Sequence, residues 1–219
     1  GSEWPKSKWT VYDAGLRVPF LAVWPGKIKP GTTTDALISF VDMTPTLIDL
    51  AGGTAPEGLD GRSFLQVLQG GQSTFRKWIY ATHTGDSKMN RFPQRAVRDA
   101  RYKYVLNLRP QERWKTHFTE VDGLPESHRA VYRTWLERAK TDPQVARLID
   151  VLEHHAAEEL YDTEADPYEL HNLAAKSEMK TILGTMRAQL QAWMASTGDE
   201  GLKTEKEQAA RHQAAKEKK

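Results

Sequence analysis

The sequence predicts an α/β fold that includes a small antiparallel sheet and a C-terminal helix. Three observations lead to this prediction. A short, continuously apolar run over 18–24 is followed by a capped helical pattern, which is typical of a large α/β domain. Residues 76–108 contain strand-like segments, two of them joined by a short connection as in an antiparallel hairpin. Residues 179–194 carry apolar side chains at helical spacing.

The first strand is predicted over Val18–Trp24. Every residue of this run is apolar, and Pro25-Gly26 ends it, which is the pattern of a strand buried on both faces. Such a strand needs neighbours in a larger sheet. In isolation its surface is expected to stay exposed and to promote association or partial disorder.

A helix is predicted next, over Pro45–Ala51. Thr44 is a suitable N-cap, proline is favoured at the first helical position, and Gly52-Gly53 supplies a stop. One strand and one or two helices cannot bury this much apolar surface alone. Residues 1–70 are therefore expected to form the end of a large α/β domain.

Residues 71–199 are predicted to form a small α+β subdomain. Its predicted elements are strands over 78–82, 94–98, 102–106 and 159–162, a helical insertion over about 110–158, and an amphipathic helix over 179–194. The two strands joined by Asp99–Arg101 are expected to form a half-buried antiparallel pair. Residues 200–219 are rich in Glu, Lys, Gln and Ala and predict a charged, solvated helical tail.

Composition excludes several classes of function. The 219 residues include 31 basic and 29 acidic side chains, for a net charge of +2, and much of the basic excess lies in 203–219. This balance predicts no nucleic-acid partner. The longest apolar run is too short to span a bilayer. Cysteine is absent, which excludes disulfides and thiolate metal ligands.

Two phrases of the sequence carry its strongest functional signal. The first lies within residues 8–52 and reads K-W-T-V-Y-D-A-G-L-R-V-P, then W-P-G, then V-D-M-T-P-T-L-I-D-L-A-G. The second, over residues 159–174, reads E-L-Y-D-T-E-A-D-P-Y-E-L-H-N-L-A. Together they make the chain similar to the carboxy-terminal portion of a sulfatase. A Thr82-His83 pair ahead of a P-x-R-x-V-R strand, and the helical insertion, make it most similar to the N-sulfoglucosamine sulfohydrolase (sulfamidase) branch.

The resemblance implies the carboxy-terminal part of an alkaline-phosphatase-like sulfatase fold. It also implies hydrolysis of a sulfate ester or N-sulfonate, on a sulfated carbohydrate substrate, by a formylglycine nucleophile and a divalent cation, usually Ca²⁺. The sequence holds no Cys-x-Pro-x-Arg or Ser-x-Pro-x-Arg motif. The nucleophile and metal ligands are therefore expected in a missing N-terminal half, and this chain alone is expected to be inactive. The family resemblance implies a periplasmic, secreted or lysosomal location.

Lys8 is the candidate catalytic residue. Sulfatases carry a Lys or Arg four residues before the Tyr of the Tyr-acid-small-Gly turn, and here Lys8 precedes Tyr12 at that spacing. The resemblance implies that its ammonium neutralises charge on the sulfate oxygens and the leaving group. From composition alone an exposed loop lysine is the more frequent case. Lys6 is the nearest rival for the catalytic role.

His83 is the candidate substrate-binding residue. The resemblance implies that a histidine loop of the small domain contacts the sugar through a hydroxyl or carboxylate; a strand-end surface histidine is an equally good interpretation. Arg95 and Arg98 are expected to be solvated charges on a strand face. His154 and His155 are adjacent in sequence, so they diverge on a helix and do not predict a metal site.

Two alternatives belong to other functional classes. A phosphodiesterase or phosphonate hydrolase of the same superfamily would share this architecture and would differ in nucleophile and metal ligands. A non-catalytic role is also open, in which residues 70–199 act as a glycan-binding module. The nucleophile and metal ligands in the sequence upstream of this chain would distinguish a sulfatase from a phosphodiesterase or phosphonate hydrolase. Retained glycan binding by the isolated chain would support the binding module.

Overall fold

The computed structural model describes residues 5–84, 90, 92–116, 118–119 and 126–217, apart from the side chains of 126–129, 212, 216 and 217. It divides into two compact units, one formed by Val18–Ile79 and the other by Gly1–Arg17 with Tyr80–Lys219. The division predicted above, at residues 70 and 199, concerns the domains of a larger protein and stays a prediction.

The chain contains seven α-helices, four strands and two short 3₁₀ turns within the residues that the structure describes. In chain order they are α1 (Asp13–Leu16), a 3₁₀ turn (Phe40–Asp42), α2 (Met43–Leu50), α3 (Leu65–Leu68), β1 (Ile79–His83), β2 (Gln94–Arg98), β3 (Tyr102–Asn107), α4 (Glu126–Ala139), α5 (Pro143–Glu153), β4 (Glu158–Asp162), a 3₁₀ turn (Ser177–Met179), α6 (Lys180–Ser196) and α7 (Leu202–Glu217).

The four strands form one sheet in the order β1-β2-β3-β4. β3 pairs antiparallel with both of its neighbours, and Ala96, Val105 and Glu159 lie side by side across the three strands. The connection from β2 to β3 is the predicted hairpin, closed by the N–H of Asp99 on the carbonyl of Tyr102. The four strands predicted within residues 71–199 are confirmed to within one residue at each end, and so is the small antiparallel sheet.

Both faces of this sheet are covered, so the prediction of a half-buried strand pair is wrong. Lys103 and Val105 on one face are 1% and 0% exposed, and Tyr104 on the other face is 1% exposed. α6 packs against β2 and β3. The opposite face carries the hydrophobic core, whose buried members are Val11, Tyr12, Phe92, Ala96, Val105, Trp114 and Tyr161.

The helical insertion is present as the pair α4 and α5, although its predicted residues 117 and 120–125 lie outside the described part of the chain. α5 begins as its sequence predicts, because the Asp142 side chain accepts the N–H of Gln144 at 3.0 Å. The helical spacing of Val131, Trp135, Leu136 and Ala139 predicts a buried apolar face on α4, and this prediction is wrong for Val131 and Leu136. Val131 is 41% exposed, whereas the neighbouring Tyr132 is buried and donates its hydroxyl to Glu153 of α5.

The strand predicted over Val18–Trp24 does not form in this chain, and its residues are irregular. Leu21 and Val23 are 92% and 90% exposed. A strand needs backbone partners on at least one side, and residues 18–78, all of which the structure describes, contain no strand. The apolar surface stays exposed, as expected for this run in isolation.

α2 begins two residues earlier than predicted, so Thr44 lies inside the helix and is not its N-cap. The 3₁₀ turn before it brings Asp42 to the centre of the smaller unit, where the side chain is fully buried. The Asp42 carboxylate accepts the N–H of Arg62 at 3.0 Å and Nε–H of Arg76 at 2.7 Å. The aspartate of the V-D-M-T-P phrase therefore has a structural role here.

α6 matches its predicted amphipathic pattern, with Leu183, Met186 and Leu190 buried. α7 is largely exposed beyond its first turn, as the tail composition predicts. Among the described residues, no helix combines the length and apolar character that a membrane span requires.

Hydrogen exchange should distinguish the exposed apolar run from the sheet. We expect amides of 18–24 to exchange much faster than those of β2 and β3, because the run has no sheet partners and the strands are paired and buried. Native-state exchange measured by mass spectrometry on this chain checks this. Comparable protection of the two segments in a monomer would contradict it.

Candidate functional site

Lys8 lies in a tightly constrained segment, residues 6–15, which we call the Lys8 turn. Lys6 and Trp9, on either side of it, have φ angles of +58° and +64°. Non-glycine residues in this left-handed region cost about 1–3 kcal/mol each and persist only where the surroundings hold them. The Thr10 hydroxyl is one such restraint, because it lies 2.8 Å from the carbonyl oxygen of Ser7 and 3.0 Å from that of Lys6.

The structure shows why the Tyr-acid-small-Gly turn has a glycine at its last position, which here is Gly15. A Cβ at this position would lie 2.3 Å from the carbonyl oxygen of Ser7 and 2.7 Å from that of Thr10. These separations are too short for any side chain. Glycine is therefore required for α1 to close against the backbone that flanks Lys8.

Tyr12 joins the Lys8 turn to the sheet through a buried carboxylate. Its hydroxyl donates to Oε2 of Glu159 at 2.7 Å, and the Tyr161 hydroxyl donates to the same oxygen at 2.9 Å. The other oxygen, Oε1, lies 2.9 Å from Nδ1 of His155 and accepts Nδ2–H of Asn107 at 2.8 Å. Each oxygen of this buried carboxylate therefore has two polar partners, as a buried charge requires.

Electrostatics favour the ionised form of this carboxylate. Burial alone would raise the pKa of Glu159, but the hydrogen bond and charge interaction with His155, with Lys6 and Tyr12, outweigh it and lower the pKa to about 2. The pKa values of Tyr12 and Tyr161 are raised, first by burial and then by the charge of Glu159. Both phenols therefore stay protonated and act as donors.

Lys6 is part of the support of the Lys8 turn. Its ammonium lies 3.8 Å from the ring centroid of Tyr12 and 5.0 Å from that of Tyr161, and it donates to the carbonyl of Glu169. Burial lowers the pKa of Lys6 to about 8, although the charges of Glu159 and Glu169 act in the opposite direction. The rival lysine is thus engaged in holding the backbone.

Asp13 forms a second ionic attachment to the sheet. Its carboxylate accepts from Arg98 at 2.5 Å and from Lys103 of β3, and its N–H donates to Oε2 of Glu169 at 2.7 Å. Burial would raise the pKa of Asp13, but Lys103 and Arg98 together hold it below its ordinary value. Arg98 is consequently paired, and the expectation that it is a solvated strand-face charge is wrong.

Lys8 itself is half-buried, with its ammonium 4.1 Å from the ring centroid of Trp9. His83 lies at the end of β1, where its Nε2 is 2.9 Å from the carbonyl oxygen of Asn90, an acceptor, so Nε2 carries a proton. The two predicted site residues belong to the same unit. Their roles stay predictions.

A row of stacked rings connects the neighbourhood of His83 to the Lys8 turn. The centroid of His83 is 4.8 Å from Phe92, and Phe92 stacks on Trp114 at 3.8 Å. Trp114 lies 6.3 Å from Tyr12 and stacks on His155 at 3.4 Å. Aromatic packing of this kind fixes ring orientation with little freedom, so the end of β1 and the Lys8 turn share one rigid core.

The expectation that Arg95 is a solvated charge on a strand face is also wrong. Its side chain is 2% exposed. It pairs with Asp199 and, at 2.8 Å, with Glu205 in the first turn of α7, and Nη1 lies 3.4 Å from the carbonyl oxygen of His83. The composition of the tail gave no signal for this contact, since both carboxylates lie in a charged, apparently solvated stretch.

The described residues do not fit a divalent cation. No group of three His, Asp or Glu side chains within them could hold a metal ion. His154 is exposed and lies 3.0 Å from Asp150, whereas His155 is buried against Glu159. The sequence also contains no cysteine that could supply a formylglycine.

Comparison with known proteins assigns the chain to a class. Residues 4–141 match the family described as N-sulphoglucosamine sulphohydrolase, C-terminal, and the chain belongs to that family. A curated relative, an ulvan-active sulfatase from Formosa agariphila, is 38% identical over 194 residues, which cover 88% of this chain and 36% of the relative. The chain spans about a third of the length of the first curated relatives that it matches.

Solved structures identify the fold. A 2-O GAG sulfatase aligns with a TM-score of 0.50 and 23% identity, covering 77% of this chain and 27% of that protein. A phosphonate monoester hydrolase from Silicibacter pomeroyi aligns with a TM-score of 0.54 and 20% identity, covering 90% and 32%. The predicted fold, the carboxy-terminal part of a sulfatase with a small antiparallel sheet, is confirmed. At these identities the likeness concerns the fold alone.

Glu159→Gln should destabilise the chain in a pH-dependent way. The folded pKa of about 2 lies below the ordinary value of 4.5, so the carboxylate contributes stability fully above pH 4.5 and loses it as the pH falls toward 2. We expect a loss on the order of 3 kcal/mol at pH 7. Urea unfolding at pH 7, 4 and 2.5 checks this, with the exposed Glu164→Gln as control. A difference between variant and parent that did not shrink with acid would contradict the assignment.

Proposed function

We propose that this chain is the carboxy-terminal part of a sulfatase that hydrolyses sulfate ester or N-sulfonate groups on carbohydrate. The observation that carries the proposal is the Lys8 turn. Tyr12, Asp13 and Gly15 of the family phrase each have a structural reason to be there, and all three fix the backbone around Lys8. Strained backbone held by this many contacts is typical of functional segments.

Lys8 is proposed to act by electrostatics. A sulfuryl group carries negative charge on its oxygens, and the leaving oxygen gains charge as the bond to sulfur breaks. A positioned ammonium lowers the energy of that transition state without having to reorganise during the reaction. The contacts around Lys8 support this role, since catalysis requires a group held in place before the reaction begins.

The nucleophile and the metal are proposed to lie in residues of a longer protein. A formylglycine would supply the nucleophile and a divalent cation such as Ca²⁺ would bind the sulfate oxygens, as the family resemblance implies. The described residues do not form a cation site. The proposed contribution of this chain is Lys8, with the sheet that holds it.

His83 is proposed to contact the carbohydrate. The ring is half-buried at the end of a strand, packed on Phe92, and tied by Nε2 to the carbonyl of Asn90. A fixed imidazole at an exposed strand end can exchange hydrogen bonds with a sugar hydroxyl or carboxylate. The substrate class is supported by the ulvan-active relative.

The exposed apolar run is proposed to pack in the missing N-terminal part of the enzyme. Val18, Phe20, Leu21 and Val23 expose 49% to 92% of their surface, although their pattern is that of a fully buried strand. The chain spans about a third of the first curated relatives, so a protein of their length would have further residues that could supply neighbouring strands. The same larger protein would contain the end of the α/β domain predicted for residues 1–70.

Lys8→Ala in the complete gene product should lower kcat for a sulfated sugar by about 10²- to 10³-fold, because a positioned charge at the transition state is lost. Lys8→Arg should retain part of the rate, since it keeps the charge. Steady-state kinetics with sulfated and phosphonate substrates, with the exposed Lys180→Ala as control, make the test.

Full activity of Lys8→Ala would remove Lys8 from the mechanism. Turnover of the phosphonate and not of the sulfated sugar would replace the sulfatase by a phosphonate hydrolase. Glycan binding by the complete gene product without any turnover would favour the binding module.

Leu21→Asp should have different effects in two contexts. In the isolated chain the side chain is 92% exposed, so the melting temperature should change little. In the complete gene product the same charge would be buried within a sheet, and we expect a loss of about 2 kcal/mol or more. Thermal unfolding of both forms, with Val131→Asp as a control at an exposed apolar position, checks this. Equal, small effects in both contexts would contradict the proposed packing.

A further inference from the structure

Glu169 contacts the Lys8 turn on both sides of Lys8. It lies in the turn after β4, within the D-P-Y-E phrase, and is 1% exposed. Its Oε2 accepts the N–H of Asp13 at 2.7 Å, and its carbonyl oxygen accepts the ammonium of Lys6. Lys6 precedes Lys8 by two residues and Asp13 follows it by five. One residue therefore restrains the segment on both sides of Lys8.

A third contact anchors Glu169 to the sheet. Its Oε1 lies 2.8 Å from Nζ of Lys103, which is 1% exposed and also pairs with Asp13. Buried charges of this kind are stable only while all partners are present, because removal of one leaves another charge uncompensated. The position of the Glu169 carboxylate is thus fixed by β3.

The backbone of Glu169 is itself constrained. Its φ angle is +55°, in the left-handed region that non-glycine residues rarely adopt. Glycine or asparagine would adopt this conformation more readily. Neither has a side chain that could reach Asp13 and Lys103 with a carboxylate, so the glutamate is explained by its contacts and not by the turn.

We infer that Glu169 is a positioning residue for the reaction, acting on the rate through the Lys8 turn without touching the substrate. This inference rests on the catalytic role proposed for Lys8. It predicts that the effect of Glu169 on turnover depends on the presence of Lys8. A residue that merely stabilises the fold would lower activity to the same degree with or without Lys8.

Glu158 provides a matched comparison. It neighbours Glu159 on β4, accepts the Tyr104 hydroxyl at 2.6 Å and pairs with Arg187 of α6. These contacts lead to the opposite face of the sheet from Tyr12 and Asp13. Glu158→Gln should therefore weaken the fold without changing the Lys8 turn.

A double-mutant cycle in the complete gene product tests the inference. The variants are Lys8→Ala, Glu169→Gln, both together, and Glu158→Gln, assayed with a sulfated sugar well below each melting temperature. We expect Glu169→Gln to lower kcat on the order of 10- to 100-fold in the presence of Lys8, with a smaller change in KM. In the Lys8→Ala background it should cost less than about twofold. Glu158→Gln should leave kcat within about twofold.

Lys6→Met covers the case in which Glu169→Gln does not fold. It removes the contact of the ammonium with the carbonyl of Glu169 and leaves the ion pair with Lys103 in place. The same dependence on Lys8 is expected. If Lys6→Met also fails to fold, the Lys8 turn is required for folding and the inference of a positioning role is wrong.

Two results would overturn the inference while the proposed function stands. One is unchanged kcat in a folded Glu169→Gln protein, and the other is the same fractional loss with and without Lys8. Full activity of Lys8→Ala overturns the inference together with the role of Lys8, and is recognised from that single variant alone.

Discussion

The attachment of the Lys8 turn to the sheet by buried carboxylates is the constraint on which the structure of the larger unit depends. Glu159 and Glu169 are almost completely buried, and each is surrounded by donors from the Lys8 turn and from β3. Taking such charges out of water is costly unless every oxygen is paired. Because donors come from both sides, the turn and the sheet stabilise one another.

This arrangement explains why two phrases far apart in the sequence belong together. Tyr12 and Asp13 come from the first phrase, and Glu159, Tyr161 and Glu169 from the second, yet they share one set of hydrogen bonds. A change in one phrase leaves a buried group unpaired in the other. The strained backbone beside Lys8 is stable for the same reason, since many contacts determine it at once.

The sequence predicted elements with local periodicity and missed those set by distant contacts. Strands β2 and β3 and helix α6 follow from alternation, turn residues and helical spacing, all of which act over a few residues. The roles of Arg95, Arg98 and Glu169 could not be predicted in this way, because an ion pair between residues far apart in the sequence leaves no periodic signal. Within the candidate site, Lys8 was predicted from a family phrase. The residues that hold its backbone in place could be recognised only from the three-dimensional structure.

The apolar pattern over Val18–Trp24 indicates a strand with neighbours on both faces, and the described residues of this chain do not supply those neighbours. Seven consecutive apolar residues are selected when both faces of a strand are buried, yet here Leu21 and Val23 are almost fully exposed. Exposed patches of this kind mark surfaces that other structure covers. The prediction fails within these 219 residues, and the chain spans only about a third of the relatives' length; one explanation accounts for both. Under the proposed function, the pattern describes a strand of the complete enzyme, and its sheet partners would lie in the remainder of that enzyme.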